Sequence, residues 1–138
     1  MGGAGTPSDA AGVGREPAAW FDRRTSDIDD WSLERLVAAK SGRRIAVVLP
    51  ALNEEQTVGD IVSALRDDLT KPAAPLVDEI IVADSGSTDA TATIASDNGA
   101  RVIAPGYGRL QSLARRGKGE AMWRGLAATD ADIVAYVD

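Results

Sequence analysis

The chain has 138 residues, a formal net charge of −6 at pH 7, and neither cysteine nor histidine. This composition excludes disulfides, thiolate or imidazole metal sites and a Ser-His-Asp triad. The acidic balance also argues against nucleic acid or an anionic membrane as a partner. Chemistry within this chain must therefore rely on carboxylates, hydroxyls, lysine, arginine and backbone amides.

The first 18 residues are rich in Gly, Ala, Pro and Ser, and they are predicted to form a flexible tail because they offer few large apolar groups to bury. Residues 19–138 are predicted to form one domain. The chain contains no apolar run of about 20 residues and does not begin with a secretory signal, which favours a cytoplasmic protein.

From residue 30 onwards, helical and strand patterns alternate along the chain. Apolar residues at helical spacing predict helices over 30–40, 53–69, 89–98 and 119–129. Short apolar runs, rich in β-branched residues, predict strands over 45–49, 79–83, 101–104 and 133–137. Such an alternation predicts a three-layer α/β fold, with a Rossmann-like parallel sheet covered by helices on both faces.

Several element ends carry their own signals. Asp29 or Asp30 can cap the first helix, and Pro50 is predicted to end the first strand. Asn53 is predicted to cap the second helix, with Glu54 and Glu55 in its first turn. Gly99 suits the end of the third helix.

Polar residues follow three of the predicted strands, where ligands bind in open parallel sheets. They are found at 53–55, at 84–87 and at Asp138, and a basic cluster at 115–120 precedes the last helix. These segments predict a binding crevice at that edge. Since a domain seldom finishes on an apolar strand, we also expect the chain to be truncated at its C-terminus.

Two familiar phosphate-binding motifs are absent from the sequence. A Walker loop requires Ser or Thr after its lysine, but Lys118 is followed by Gly119. The pair Gly106 and Gly108 lacks the third glycine of a dinucleotide fingerprint. The sequence therefore excludes a P-loop enzyme and a Rossmann dehydrogenase.

Three segments instead resemble the family 2-like, A-type glycosyltransferases. They read VVLPALNEE at 47–55, IIVADSGSTD at 80–89 and GKGEAMWR at 117–124. Asp-Ser-Gly-Ser in the second segment, together with the third segment and the leader helix around Trp31, is similar to the glucosyl-3-phosphoglycerate synthases within that group. The resemblance covers residues 30–138 and implies the nucleotide-binding half of the A-type fold.

This resemblance implies transfer of glucose from UDP-glucose to 3-phosphoglycerate with retention, giving glucosyl-3-phosphoglycerate, assisted by Mg²⁺ or another divalent ion such as Mn²⁺. A hard cation suits such a reaction because the leaving diphosphate develops charge on its oxygens. The base of the donor and the identity of its sugar rest on the resemblance alone. The oligomeric state is open, and a homodimer is the commonest form among homo-oligomers.

The resemblance also implies roles for individual residues. The uridine would be held by Pro50, Ala51, Leu52 and Glu54, while Asp84 and Ser85 would meet the uracil or ribose. Lys118 would bind the nucleotide as well. Asp138, the first aspartate of the family's Asp-Ser-Asp metal motif, would reach the ribose or the metal-linked diphosphate, and the remaining metal ligands and the acceptor site would lie beyond it.

Taken singly, these residues also have structural explanations, such as a helix cap at Asn53, a turn cap at Asp84 or a solvated loop around Lys118. Two other functions stay open as well. One is a polyprenyl-phosphate sugar transferase of the same superfamily, although those usually carry Asp-Asp-Gly-Ser at the second strand. The other is a nucleotide-binding fragment without turnover.

Overall fold

A computed structural model describes residues 15–73, 75–107 and 117–138. Residues 1–14 of the predicted tail, and Arg115 and Arg116 of the basic cluster, lie outside the described residues. The chain divides into an N-terminal unit that ends at Ser32 and a second unit that spans Leu33–Asp138. The predicted domain boundary at residue 18 stays a prediction.

The N-terminal unit contains helix α1 (Arg15–Arg24) and a 3₁₀ turn (Ile28–Asp30). Asp27 caps this turn, because its carboxylate accepts a hydrogen bond from the Asp29 amide while its own amide donates to the Asp30 carboxylate. The prediction of one helix over 30–40 was wrong at its start, since Asp30 belongs to the capped turn. The second unit begins with helix α2 (Leu33–Lys40).

The second unit is built on a four-stranded sheet in the order β3-β2-β1-β4, in which every pair of neighbours is parallel. Its strands are β1 (Ile45–Ala51), β2 (Glu79–Asp84), β3 (Arg101–Ile103) and β4 (Ile133–Tyr136). Helices α3 (Val58–Leu69), α4 (Thr91–Asp97) and α5 (Lys118–Ala127) connect them. The predicted α/β class with a parallel sheet is confirmed.

Alternate residues of the central strands face opposite helical layers. On one side, Val47, Leu49 and Val82 pack with Val62 of α3 and Ala95 of α4. On the other side is a second cluster, formed by Val48, Ile81, Ala83, Ile103 and Ala121 of α5. This two-sided burial explains why the middle positions of β1 and β2 are apolar.

Helix α5 approaches the sheet closely at Gly125. A Cβ atom at this position would lie 2.3 Å from Cγ1 of Val48, so even an alanine side chain would clash with β1. The contact fixes the C-terminal half of α5 against β1 at the centre of the sheet.

Strand β1 continues through Pro50 to Ala51 instead of ending at Pro50 as predicted. The pairing of β1 with β4 stops at Val48 and Tyr136. Pro50 lies two residues after Val48, so its nitrogen faces the β4 side of the strand beyond the last paired residue. Its missing N–H therefore removes no hydrogen bond of the sheet. The other strand ends agree with the predictions within one residue.

The prediction that Asn53 caps the second helix was wrong. Asn53 has a left-handed backbone with φ of 56°, and α3 begins only at Val58 after the N-cap residue Thr57. Glu54 and Glu55 consequently lie in the preceding turn and not in the first turn of the helix. Gly99 follows α4 with φ of 99°, which confirms its predicted role as a stop.

None of the helices in the described ranges is long and apolar enough to span a membrane.

Candidate functional site

A pocket of about 380 Å³ lies where the carboxyl ends of β1, β2 and β4 meet the start of α5. Its size is within the usual range for small-molecule sites. Among the described residues, its lining is formed by Pro50, Ala51, Leu52, Glu54, Ser85, Gly86, Gly117, Lys118 and Asp138. The fold therefore gathers into one cavity all the predicted binding residues except Asp84.

Asp84 lies behind the pocket wall and is 6% exposed. Its carboxylate accepts hydrogen bonds from the amides of Gly86 at 3.1 Å and Ser87 at 3.2 Å. These bonds close the turn after β2, in which Gly86 takes a positive φ of 90°. Asp84 thus shapes the wall on which Ser85 and Gly86 lie, and its own contact with a ligand stays a prediction.

The loops after β1 and β2 are locked together by Asn53. Its backbone amide donates to Oγ of Ser87 at 2.9 Å, and its side-chain Oδ1 accepts from the backbone amide of Thr88 at 2.9 Å. The left-handed backbone that permits this arrangement is one that asparagine adopts more readily than most residues. Asn53 therefore holds the two loops that form this side of the pocket in register.

A second set of bonds supports the same two loops. The amide of Glu54 donates to Oγ1 of the fully buried Thr91 at 2.7 Å, and the amide of Glu55 donates to the Asp89 carboxylate at 3.2 Å. The amide of Ala90 returns a bond to the Glu55 carboxylate at 3.0 Å. The hydrogen bond from the Thr91 side chain, followed by backbone amides, lowers the pKa of Asp89 from its ordinary value. The motifs at 53–55 and 84–89 thus form one interlocked support.

A second wall, formed by Gly117, Lys118 and Asp138, carries the one positive charge of the described lining. Helix α5 begins at Lys118, directly after Gly117, and the Lys118 ammonium pairs with the carboxylate of Asp138 beyond β4. Both side chains are more than half exposed, so solvent weakens this pair and the ammonium can exchange its partner for another anion at small cost. The wall can therefore receive an anionic ligand.

The donor set fits a divalent ion that is shared with a phosphate-bearing ligand. No group of three or more acidic side chains is close enough to hold a metal anywhere in residues 15–73, 75–107 and 117–138. The described pocket lining nevertheless includes two carboxylates, those of Glu54 and Asp138. Since Mg²⁺ is commonly held by one or two carboxylates together with substrate phosphates, Asp138 is suited to that role.

Two residues that line the pocket, and one that lies behind it, were not predicted as binding residues from the sequence. Gly86 and Gly117 line the pocket, although both belong to motifs that had been recognised. Arg124 of α5 is buried at 1% exposure, and its guanidinium donates to the backbone carbonyl of Asp84. The spacing of Glu120 and Arg124 by four helical positions was the one local signal that could have indicated this arginine.

The model of a family described as glycosyl transferase family 2 matches residues 46–138, the part of the chain that contains the sheet and the pocket. The chain belongs to this family. The sequence motifs and the parallel sheet are the features expected of it, and the resemblance stated from the sequence is confirmed.

Among curated proteins, the chain is similar to glucosyl-3-phosphoglycerate synthase of Mycobacterium tuberculosis, with 47% identity over 130 residues. The match covers 94% of this chain and 39% of that relative. The chain thus spans about two fifths of the length of the curated relatives that it matches.

Solved structures of the Mycobacterium tuberculosis glucosyl-3-phosphoglycerate synthase have a similar fold. One, a complex with Mn²⁺, UDP-glucose and phosphoglyceric acid, is 49% identical with a TM-score of 0.65, covering 78% of this chain and 37% of that one. Another, with Mn²⁺, UDP and glucosyl-3-phosphoglycerate, is 47% identical with a TM-score of 0.68, covering 83% and 39%. These matches confirm the predicted fold as that of the N-terminal part of such an enzyme.

Proposed function

We propose that this chain is the nucleotide-sugar-binding part of a glycosyltransferase that moves glucose from UDP-glucose to 3-phosphoglycerate with retention, giving glucosyl-3-phosphoglycerate. The observation that carries the proposal is the convergence of Pro50, Leu52, Ser85, Lys118 and Asp138 on one pocket. The close relatives bear that activity in their names, and their complexes contain the donor, the acceptor and the product.

The two walls of the pocket suit the two ends of the donor. The wall built from Pro50, Ala51, Leu52 and Ser85 has three apolar residues and one hydroxyl, which suits the flat base and the ribose of uridine. Asp84 and the Asn53 bonds keep this wall rigid, so the nucleoside meets a preformed surface. Glu54 lies beside it with its carboxylate held by the hydroxyl of Thr57 at 2.9 Å.

The second wall, with Lys118 and Asp138, suits the diphosphate. A phosphate oxygen can take over the Lys118 ammonium from Asp138 and form a charge-assisted hydrogen bond with it. The Asp138 carboxylate is then available to hold Mg²⁺ or Mn²⁺ against the diphosphate. When bound, the divalent ion neutralises the charge that develops on the leaving diphosphate.

The transfer step would also need residues beyond this chain. The described part of the pocket contains no full set of metal ligands and one described lysine, whereas 3-phosphoglycerate carries a carboxylate and a phosphate that need a basic site of their own. We therefore propose that the 138-residue chain alone binds the nucleotide without turning it over. A cytoplasmic location and a homodimer stay predictions.

Asp-Ser-Gly-Ser at 84–87 and the named relatives support the synthase over a polyprenyl-phosphate sugar transferase. Titration calorimetry of the chain with UDP and with GDP, both in MgCl₂, tests the donor assignment. We expect UDP to bind more tightly, because the apolar wall at Pro50–Leu52 is proposed to fit the smaller base. Equal or tighter binding of GDP would contradict it.

A further inference from the structure

A buried arginine behind the pocket has no part in the site described so far. Arg124 is 1% exposed and is the largest of the fully buried side chains in the described residues. Its guanidinium is always charged, and burying a charge is costly even when it is paired. An apolar side chain of similar volume would fill the same space without that cost. Packing alone therefore does not explain why this buried side chain is charged.

The contacts of Arg124 join three separate elements. Nη1 donates to the backbone carbonyl of Asp84 at 2.9 Å and to that of Ile103 at 3.1 Å. Nε and Nη2 donate to the two carboxylate oxygens of Glu120 at 2.8 and 3.1 Å. The planar fork therefore holds the ends of β2 and β3 and the first turn of α5 in one fixed geometry.

These contacts lie directly behind the two walls of the pocket. Pairing between β2 and β3 ends at Ala83 and Ile103, so the carbonyl of Asp84 lies one residue beyond the last pair, and Arg124 binds it there. Asp84 leads into Ser85 on the nucleoside wall. Glu120 lies two residues after Lys118, and Lys118 belongs to the wall that carries the positive charge. Arg124 is thus a direct bridge between the supports of the two walls.

The two walls depend on this bridge to different degrees. The turn after β2 is also held by the Asp84 carboxylate and by the Asn53 bonds to Ser87 and Thr88, none of which involves Arg124. The first turn of α5 has fewer such bonds among the described residues, because Gly117 offers no side-chain cap and the other supports there are the packing of Ala121 and the exposed Lys118–Asp138 pair. Loss of the bridge should therefore displace Lys118 and leave Ser85 in place.

We propose that Arg124 is a positioning residue that sets the separation between Lys118 and the nucleoside wall, so that one nucleoside diphosphate contacts both walls at once. The inference rests on the proposed function. The buried charge of Arg124 then contributes to ligand affinity, whereas a residue that served only for packing would not.

A double-mutant cycle on UDP affinity tests this role. Arg124→Lys keeps the charge but replaces the planar fork of five donors with a single ammonium, and we expect it to weaken UDP binding by about tenfold, within the range of coupling between neighbouring residues. In the Lys118→Ala background the same change should weaken binding by less than about twofold, because the contact that Arg124 positions is already gone.

Arg101 offers a matched control at the other end of α5. Its guanidinium also pairs with a carboxylate, that of Glu79 at 2.7 Å, and donates to a helix carbonyl, that of Ala128. This bridge lies at the amino ends of β2 and β3, away from the pocket. Arg101→Met should lower the melting temperature and leave the UDP affinity within about twofold of the wild type.

A tenfold loss in the Lys118→Ala background as well, or no loss in either background, would overturn the positioning role while leaving the proposed function standing. Failure of the wild-type chain to bind UDP would overturn both. If Arg124→Lys does not fold, Glu120→Gln replaces it in the cycle, because this change weakens one arm of the bridge and keeps its shape. We then expect about a threefold loss that vanishes in the Lys118→Ala background.

Discussion

Two lysine–aspartate pairs lie at opposite edges of the sheet, one among backbone contacts and one in the pocket. At the amino edge, Lys40 of α2 pairs with Asp78 at 2.7 Å, and the Lys40 side chain is 10% exposed. At the carboxyl edge, Lys118 pairs with Asp138, and its side chain is 55% exposed. The residue types are the same, but their surroundings are not.

The difference lies in what else each pair contacts. Lys40 also donates to the carbonyl of Pro75 at 2.8 Å, and Asp78 also accepts from the amide of Ile45 at 2.7 Å. These bonds tie α2 and the loop before β2 to the start of β1. The Lys118 ammonium, by contrast, meets the Asp138 carboxylate inside a pocket. A lysine–aspartate pair whose members also bond to backbone groups stabilises the fold. In a pair that lines a pocket, one member can exchange the other for a ligand.

The largest expected effect concerns catalysis, because the residues at the carboxyl edge of the sheet should not transfer glucose by themselves. We expect no acceptor-dependent UDP release from UDP-glucose by the 138 residues with MgCl₂ present, because the described pocket lacks a full metal-ligand set. Activity should return in a chimera that adds the remaining part of the Mycobacterium tuberculosis relative. Turnover that depends on 3-phosphoglycerate in the short chain would show that the catalytic centre has been misplaced.

The two lysines should separate binding from stability. Lys118→Ala is expected to weaken UDP binding by about 1.5–3 kcal/mol, the usual range for a hydrogen bond to a charged group, with little change in melting temperature. Lys40→Ala is its matched control and should do the reverse, because it leaves the Asp78 carboxylate without its main partner. Calorimetry with UDP and thermal melts of both variants measure the two effects. A lower melting temperature for Lys118→Ala, with unchanged UDP affinity, would assign it to the fold.

The smallest expected effect is on the pH dependence of stability. The hydrogen bond from Lys40 holds the pKa of Asp78 below its ordinary value of 3.8. Because the folded-state pKa is the lower one, this carboxylate stabilises the fold above about pH 3.8, and the contribution is lost as the pH falls through the folded value. Asp78→Asn should therefore be less stable than the wild type at pH 7 and should lose less stability on acidification. Parallel pH profiles from urea unfolding would contradict this account.

Much of this architecture could be predicted from local sequence, because the buried middle positions of parallel strands are apolar. The runs at Ile45 and Glu79 marked their strands, and the carboxyl ends of these strands then placed the pocket. The residues that were misread or missed act over long range. Asn53 looks like a helix cap but bonds to Thr88, 35 residues away, and Arg124 bonds to a carbonyl 40 residues away. Such partners become visible only when the sheet brings them together.

The central claim is that the carboxyl edge, and not the amino edge, receives the nucleotide. Backbone amide shifts of the labelled chain, recorded by NMR during titration with UDP and MgCl₂, test it most directly. We expect shifts to concentrate at residues 51–54, 85–88 and 117–118, whereas the amides of Ile45, Asp78 and Arg101 at the opposite edge stay in place. Shifts that centre on the amino edge, or that spread evenly over both edges, would contradict the assignment of the pocket.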